Sequence, residues 1–127
     1  MSKISTAVLI TALAVGLISL YVDTTAIFAQ TTTTISMVPG SSAPKPDNKY
    51  YDPSPANVAV GTTVTFVNDD ATLHTAVSGT ADSGPSGVFD SGYLAKGKSF
   101  QHTFDKAGTF DYYCTLHPFM VGQVVVK

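Results

Sequence analysis

The sequence has a single cysteine, three histidines, and no tryptophan, arginine or glutamate among its 127 residues. One cysteine, Cys114, excludes an internal disulfide framework and any metal cluster that needs several thiolates from one chain. The three imidazoles, His74, His102 and His117, are too few for a trinuclear metal cluster or a second histidine-rich centre. The chemistry that this chain can support by itself is therefore limited to one small site.

An excess of positive charge is also lacking. Seven lysines are set against nine aspartates, and the formal net charge is -2. This excludes the basic surface that nucleic acid would require. With 44% hydrophobic and 13% charged residues, the chain has the composition of a packed globule, and its length fits one domain. We therefore expect a monomeric domain with no nucleic-acid partner.

An apolar run near the N-terminus predicts export. After Lys3, residues 4–22 carry no charge, and Ala29 is a small residue of the kind that precedes a cleavage site. We interpret residues 1–29 as a signal peptide that forms an apolar helix. The run also approaches the roughly 20 residues that span a bilayer, so a retained membrane anchor through residues 4–22 is an alternative, as is a buried helix. Export places the protein in the periplasm or at the extracytoplasmic face of the membrane.

Two further regions follow the N-terminal run. Residues 30–47 are rich in threonine, serine and proline and poor in bulky side chains, which is typical of a linker. An edge strand at Ile35 to Val38 is an alternative for part of this region. Residues 48–127 are predicted to form the folded domain.

After Tyr50, short segments in which apolar and polar residues alternate are separated by residues typical of turns, and this pattern predicts β-strands. In one of them, Val64, Phe66 and Asn68 share a face. Strands are predicted at Asn57 to Val60, Thr62 to Asn68, His74 to Ser78, Phe100 to Phe104, Thr109 to Cys114 and in the closing segment to Val126. About seven to eight strands predict an all-β fold, an antiparallel sandwich or barrel.

Three features of this region are interpreted structurally. His102 lies between Phe100 and Phe104 on one face of a strand, which favours a buried or partly exposed strand residue over a metal ligand. The pair Asp69 and Asp70 is typical of a turn with solvated charge. Residues 79–87 are expected to form a long irregular excursion.

Four soft or borderline metal donors are concentrated in two loops. Cys114, His117 and Met120 are spaced three apart between a strand that ends at the cysteine and one that begins near the methionine. His74 lies at the start of a strand that follows a second loop. If both loops lie at the same end of the sheet, they bring together two imidazoles, one thiolate and one thioether.

This donor set selects among metals. Calcium and magnesium prefer oxygen ligands, and no carboxylate lies between Cys114 and Met120. Zinc could use the two histidines and the cysteine but seldom uses a thioether, whereas copper accepts all four donors. Two histidines and a cysteine with a weak axial methionine are the ligands of blue-copper electron-transfer sites.

The residues Tyr112 to Val126, with their Cys-x-x-His-x-x-Met spacing, resemble the C-terminal copper loop of the cupredoxins, the family of small type 1 (blue) copper proteins. The short spacing is most similar to the amicyanin branch, and the rest resembles plastocyanin and pseudoazurin. Asn68 and His74, separated by five residues, are similar to the family's upstream copper-histidine motif. The resemblance covers Tyr50 to Lys127.

The resemblance implies a Greek-key sandwich, one type 1 copper per chain, and one-electron transfer between transient redox partners; it does not imply an enzyme. The implied copper ligands are His74, Cys114, His117 and Met120. Asn68 would hydrogen-bond near the thiolate and tie the two ligand loops together. Leu116 departs from the amicyanin pattern, which has proline before the histidine, and this predicts a less rigid loop.

The predicted electron-transfer surface lies on the copper loop. His117, beside Pro118 and Phe119 in the middle of the loop, is expected to present its ring edge to an apolar docking patch. By resemblance to plastocyanin, Tyr113 is a second contact. Such patches suit small, transient interfaces.

Three other functions are alternatives for this sequence. A copper storage or delivery protein would have the same donors but exchange its metal readily. A copper oxidase or reductase would need further histidines for a second copper. A metal-free adhesion sandwich would leave the four-donor pattern unexplained.

Overall fold

The structure is a computed structural model, and it describes residues 31–127. The signal peptide or anchor predicted for residues 1–29, with its apolar helix, lies outside the described residues. Within the described range, no helix is long and apolar enough to cross a membrane. The range contains nine strands: β1 (Thr32–Met37), β2 (Tyr51–Asp52), β3 (Ala56–Val58), β4 (Thr62–Asn68), β5 (Val77–Thr80), β6 (Gly84–Asp90), β7 (Ser99–Phe104), β8 (Gly108–Tyr113) and β9 (Val121–Val126).

The strands form a sandwich of two sheets. One sheet has the order β2-β1-β4-β7 and the other the order β3-β9-β8-β5-β6. The chain changes sheet five times, between β2 and β3, β3 and β4, β4 and β5, β6 and β7, and β7 and β8. The predicted all-β sandwich is therefore confirmed. The expectation of purely antiparallel pairing is wrong, because β1 pairs with β4 and β3 pairs with β9 in parallel.

The first strand lies inside the region that was predicted to be a linker. Thr32–Met37 pairs along its whole length with β4, in a register that runs from Thr32 opposite Thr63 to Met37 opposite Asn68. Its consecutive threonines are β-branched and favour a strand. Ile35 and Met37 are fully buried, so this strand contributes to the core. The linker interpretation is therefore wrong for residues 32–37.

The excursion expected at residues 79–87 is instead a hairpin between β5 and β6. Gly79 has a φ of +121° at a register shift in this hairpin. A side chain at Gly79 would collide with the carbonyl oxygen of Gly84. The glycine therefore allows the two backbones to approach closely. From the sequence alone, this glycine is interpreted only as part of an irregular segment.

The core lies between the sheets and ends in a cluster of loops at one pole. Val64, Phe66 and Asn68 are fully buried, as their predicted common face requires. At the pole, β4 ends, β5 begins, β8 ends and β9 begins, with Tyr113 paired to both Val77 and Val121. The loops at residues 69–76 and 114–120 therefore meet above the same end of the core.

Candidate metal centre

The two loops bring three donor atoms together. The sulfur of Cys114 lies 3.8 Å from Nδ1 of His74 and 3.7 Å from Nδ1 of His117. The donor atoms of these residues all lie within 4.8 Å of one another. The imidazole rings have centroids 4.9 Å apart. Both histidines thus direct the same ring nitrogen to the only thiol of the chain.

These distances fit a transition-metal ion. Typical metal bonds are about 2.3 Å long to sulfur and about 2.0–2.1 Å long to nitrogen. If the sulfur–metal–nitrogen angle is about 120°, the sulfur and nitrogen atoms lie roughly 3.7–3.8 Å apart. The separations of the Cys114 sulfur from the two Nδ1 atoms match this value. The donor set and its spacing therefore fit copper.

Backbone hydrogen bonds fold the 114–120 loop tightly. The Cys114 N–H donates to the Met120 carbonyl at 2.9 Å, and the Met120 N–H donates to the His117 carbonyl at 2.8 Å. Cys114 and Met120 are fully buried, whereas His117 is partly exposed. The loop therefore places Met120 directly beside the cysteine and His117 at the surface.

His74 is held from the opposite side. Its N–H and carbonyl form an isolated bridge with Leu94, with hydrogen bonds of 3.2 and 2.8 Å. The side chain is fully buried. This bridge anchors the 69–76 loop to the chain before β7.

Thr75 ties the two ligand loops together. Its N–H donates to the sulfur of Cys114 at 3.3 Å, and its hydroxyl oxygen accepts the Thr115 N–H at 2.9 Å. Its carbonyl accepts the Tyr51 hydroxyl at 2.7 Å. This is the role that the sequence assigned to Asn68, so that assignment is wrong. Residue 75 follows a ligand directly, which is the signal that could have identified it.

Asn68 shapes one ligand loop instead. Its Nδ2 group donates to the carbonyls of Thr72 and Leu94 at 2.8 and 2.7 Å, and its Oδ1 accepts the Asp70 N–H at 2.9 Å. None of these contacts involves the thiol. The fully buried amide therefore fixes the path of residues 68–74 and acts on the site through His74.

Asp70 is a part of the site that sequence reasoning missed. Its Oδ2 lies 2.7 Å from Nε2 of His74, and its Oδ1 accepts the N–H groups of Gly40 and Ala71 at 3.1 and 2.9 Å. Only 7% of the residue is exposed. The prediction of a solvated charge is therefore wrong for Asp70, although it describes its exposed neighbour Asp69.

The surroundings shift the pKa values of three groups. Burial by itself would raise the pKa of Asp70, but hydrogen bonds from His74, Gly40 and Ala71 outweigh it and lower the pKa, so the carboxylate is ionised. Burial and the nearby His74 lower the pKa of His117. Burial, and then the charge of Cys114, raise the pKa of Tyr51 well above its usual value, so its hydroxyl stays a donor.

Exposed apolar side chains flank His117 in its loop. Leu116 is 42% exposed and Phe119 37%, and Pro118 is exposed as well. Leu73, which precedes the other histidine of the site, is 46% exposed. The Phe119 ring lies 6.0 Å from the His117 ring and 5.4 Å from that of the buried Tyr50.

Two other residues have clear positions. Tyr113 is only 6% exposed, so the prediction that it is a surface contact is wrong. His102 lies on β7 with its ring 5.2 Å from Phe89 and 4.8 Å from Phe104. Among the described residues, the group that could hold a metal consists of His74, Cys114 and His117 and does not include His102.

Comparison with known proteins gives one consistent result. Residues 42–127 match the family model of copper binding proteins of the plastocyanin/azurin family. The chain is 40% identical over 81 residues to amicyanin from Paracoccus denitrificans, which covers 62% of this chain and 59% of that protein. It is 37% identical over 85 residues to plastocyanin from Scenedesmus fuscus, which covers 61% of this chain and 86% of that one. A purple cupredoxin from Nitrosopumilus maritimus aligns with a TM-score of 0.70 and 34% identity, over 75% of this chain and 99% of that one. This chain therefore spans about three fifths of the amicyanin.

Proposed function

Because this chain belongs to the plastocyanin/azurin family of copper-binding proteins, we propose that it carries single electrons between redox partners outside the cytoplasmic membrane. The observation that carries the proposal is the position of the two Nδ1 atoms, both within 3.8 Å of one buried thiol sulfur. A bound copper ion supplies one-electron chemistry by cycling between its two oxidation states.

His74, Cys114 and His117, whose donor atoms lie together, would supply the strong donors to a copper ion. The buried Met120, which the loop places beside Cys114, would supply a weaker thioether donor. Cys114 binds as the thiolate, and the Thr75 N–H stabilises the sulfur's negative charge. Internal hydrogen bonds hold the 114–120 loop, and Asn68 and Leu94 hold the 69–76 loop, so we expect the donors to move little when an electron arrives or leaves.

Electrons are proposed to pass through His117, because it is the partly exposed histidine of the site. The exposed Leu73, Leu116, Pro118 and Phe119 form the apolar docking patch around it. A small and short-lived interface suits a carrier, because it must release each partner quickly. The third histidine of the chain packs against phenylalanines, so no second histidine-rich copper site is proposed. We propose an electron carrier and not an enzyme.

The location is proposed from the sequence. The export signal or anchor predicted for residues 1–29 supports a periplasmic or membrane-attached protein. We expect the domain to act as a monomer, with an electron donor and an electron acceptor as its transient partners.

A copper titration followed by voltammetry tests this function. We expect one copper per chain, intense visible absorption between blue and purple, and a reversible one-electron wave. A mild chelator should remove the ion slowly. Rapid loss of copper to the chelator together with no intense absorption would contradict electron transfer and favour copper delivery.

A further inference from the structure

We propose that the Asp70 carboxylate positions His74 and favours the oxidised copper ion over the reduced one. This inference rests on the proposed copper function and deepens it. Asp70 affects the metal site through the His74 imidazole, because it contacts Nε2 of that ring and not Nδ1, the nitrogen that faces the thiol.

The contact determines which His74 nitrogen can bind metal. An ionised carboxylate is only an acceptor, so the Nε2 atom 2.7 Å away must carry the proton and donate it. The unprotonated nitrogen is then Nδ1, which lies 3.8 Å from the Cys114 sulfur. Asp70 thus holds His74 in the tautomer that a metal at the site requires, as carboxylates do for other metal-binding histidines.

The carboxylate is itself held rigidly. Its second oxygen accepts the N–H groups of Gly40 and Ala71, and its own N–H donates to Asn68. Gly40 belongs to the turn that follows β1 and has a φ of +85°. The geometry of His74 is therefore linked to a turn outside both ligand loops.

The charge of Asp70 also acts on the copper. Together with the Cys114 thiolate it places two negative charges at a site that shields both from water. They balance Cu(II), whereas Cu(I) leaves one of them uncompensated. Because charges interact more strongly away from bulk water, this difference stabilises the oxidised ion.

Asp69 offers a matched control. It is the preceding residue, carries the same charge and is exposed, and its carboxylate accepts the Ser36 hydroxyl instead of contacting an imidazole. Any effect of general surface charge should appear in both variants, whereas an effect through His74 should appear only in the Asp70 variant.

The experiment compares Asp70→Asn and Asp69→Asn in the copper-loaded full chain. We expect Asp70→Asn to keep the intense absorption but to lose about tenfold in the preference for Cu(II) over Cu(I), which equals the low end of the loss of metal affinity caused by removing such outer partners. For a one-electron couple, tenfold corresponds to a reduction potential about 59 mV higher. Asp69→Asn should leave the potential unchanged, and Asp70→Glu should restore part of the shift.

A coloured Asp70→Asn protein with an unchanged potential would overturn this inference and leave the proposed function intact. A wild-type protein that forms no coloured copper complex would overturn both. If Asp70→Asn does not fold, Asp70→Ser, which also removes the charge, takes its place in the same comparison with Asp69→Asn. A raised reduction potential in Asp70→Ser supports the inference, and an unchanged potential contradicts it.

Discussion

The N–H of Thr75 donates to the sulfur of Cys114 at 3.3 Å, and this hydrogen bond joins the two loops that carry the candidate ligands. The hydroxyl oxygen of the same threonine accepts the N–H of Thr115. One residue therefore acts on the thiolate through its backbone and on the adjacent loop through its side chain. Substitution can separate the two effects.

Thr75→Val should destabilise the protein without abolishing its colour. Valine keeps the shape and the backbone N–H, but it leaves the Thr115 N–H without its acceptor, which costs about 1–3 kcal/mol of unfolding free energy. Urea denaturation of the metal-free protein measures the loss, and a visible spectrum checks the copper site. Thr109→Ala, at an exposed position on β8, should change stability by less than about 0.5 kcal/mol. Equal stability of Thr75→Val and wild type would contradict the linking role.

His117→Gly should open the copper site to small molecules. His117 is partly exposed, so its removal leaves a channel from solvent to the metal that free imidazole can fill. We expect added imidazole to restore the intense absorption of this variant. His74→Gly is the matched control, because His74 is fully buried and imidazole should not rescue it. Equal rescue of both variants would contradict the assignment of His117 as the surface ligand.

His102 should make the stability of the metal-free protein depend on pH. Burial lowers its pKa, partly opposed by Asp105, and its ring packs against Phe89 and Phe104. The unfolded chain, with a pKa of about 6.5, then binds the proton more readily. Stability is therefore retained above about pH 6.5 and is lost as pH falls toward the lower pKa of the folded state.

His102→Leu tests this dependence, with denaturation measured between about pH 8 and pH 5. His74 and His117 are common to both proteins, so the difference between the two curves isolates His102. We expect the curves to diverge below about pH 6.5, with the wild type losing more stability. Parallel curves would show that His102 titrates normally.

Gly122→Ala should disturb the strand that leads away from the copper loop. A Cβ atom at Gly122 would lie 2.5 Å from the Tyr112 hydroxyl, and that ring is confined by Tyr51 at 4.6 Å and Phe66 at 5.2 Å. Overpacking of this kind costs about 1–3 kcal/mol. Thermal unfolding of the metal-free variant measures it, and an unchanged midpoint would mean that the ring can move aside.

Features that depend on residues close together in the chain could be predicted from the sequence. Alternation placed Val64, Phe66 and Asn68 on a buried face, and the structure confirms it. The spacing of Cys114, His117 and Met120 put three donors in one loop, and that loop is closed by hydrogen bonds between the same residues.

The parts that sequence did not predict depend on contacts between distant segments. Pairing with β4 makes Thr32–Met37 a strand, whereas the sequence predicts a strand only as an alternative, at Ile35 to Val38. Asp70 has the local pattern of a turn residue, and only the fold brings Gly40 to its carboxylate. Tyr113 has the parity of an outward residue, yet it is buried in the folded domain.

The most direct test of the central claim is the visible spectrum of the protein loaded with one equivalent of copper, measured beside Cys114→Ser and His102→Leu. We predict intense absorption for the wild type, its loss in Cys114→Ser, and its retention in His102→Leu. A wild-type complex without intense absorption, or a band that persists without the Cys114 sulfur, would contradict a copper–thiolate centre at this pole of the sandwich.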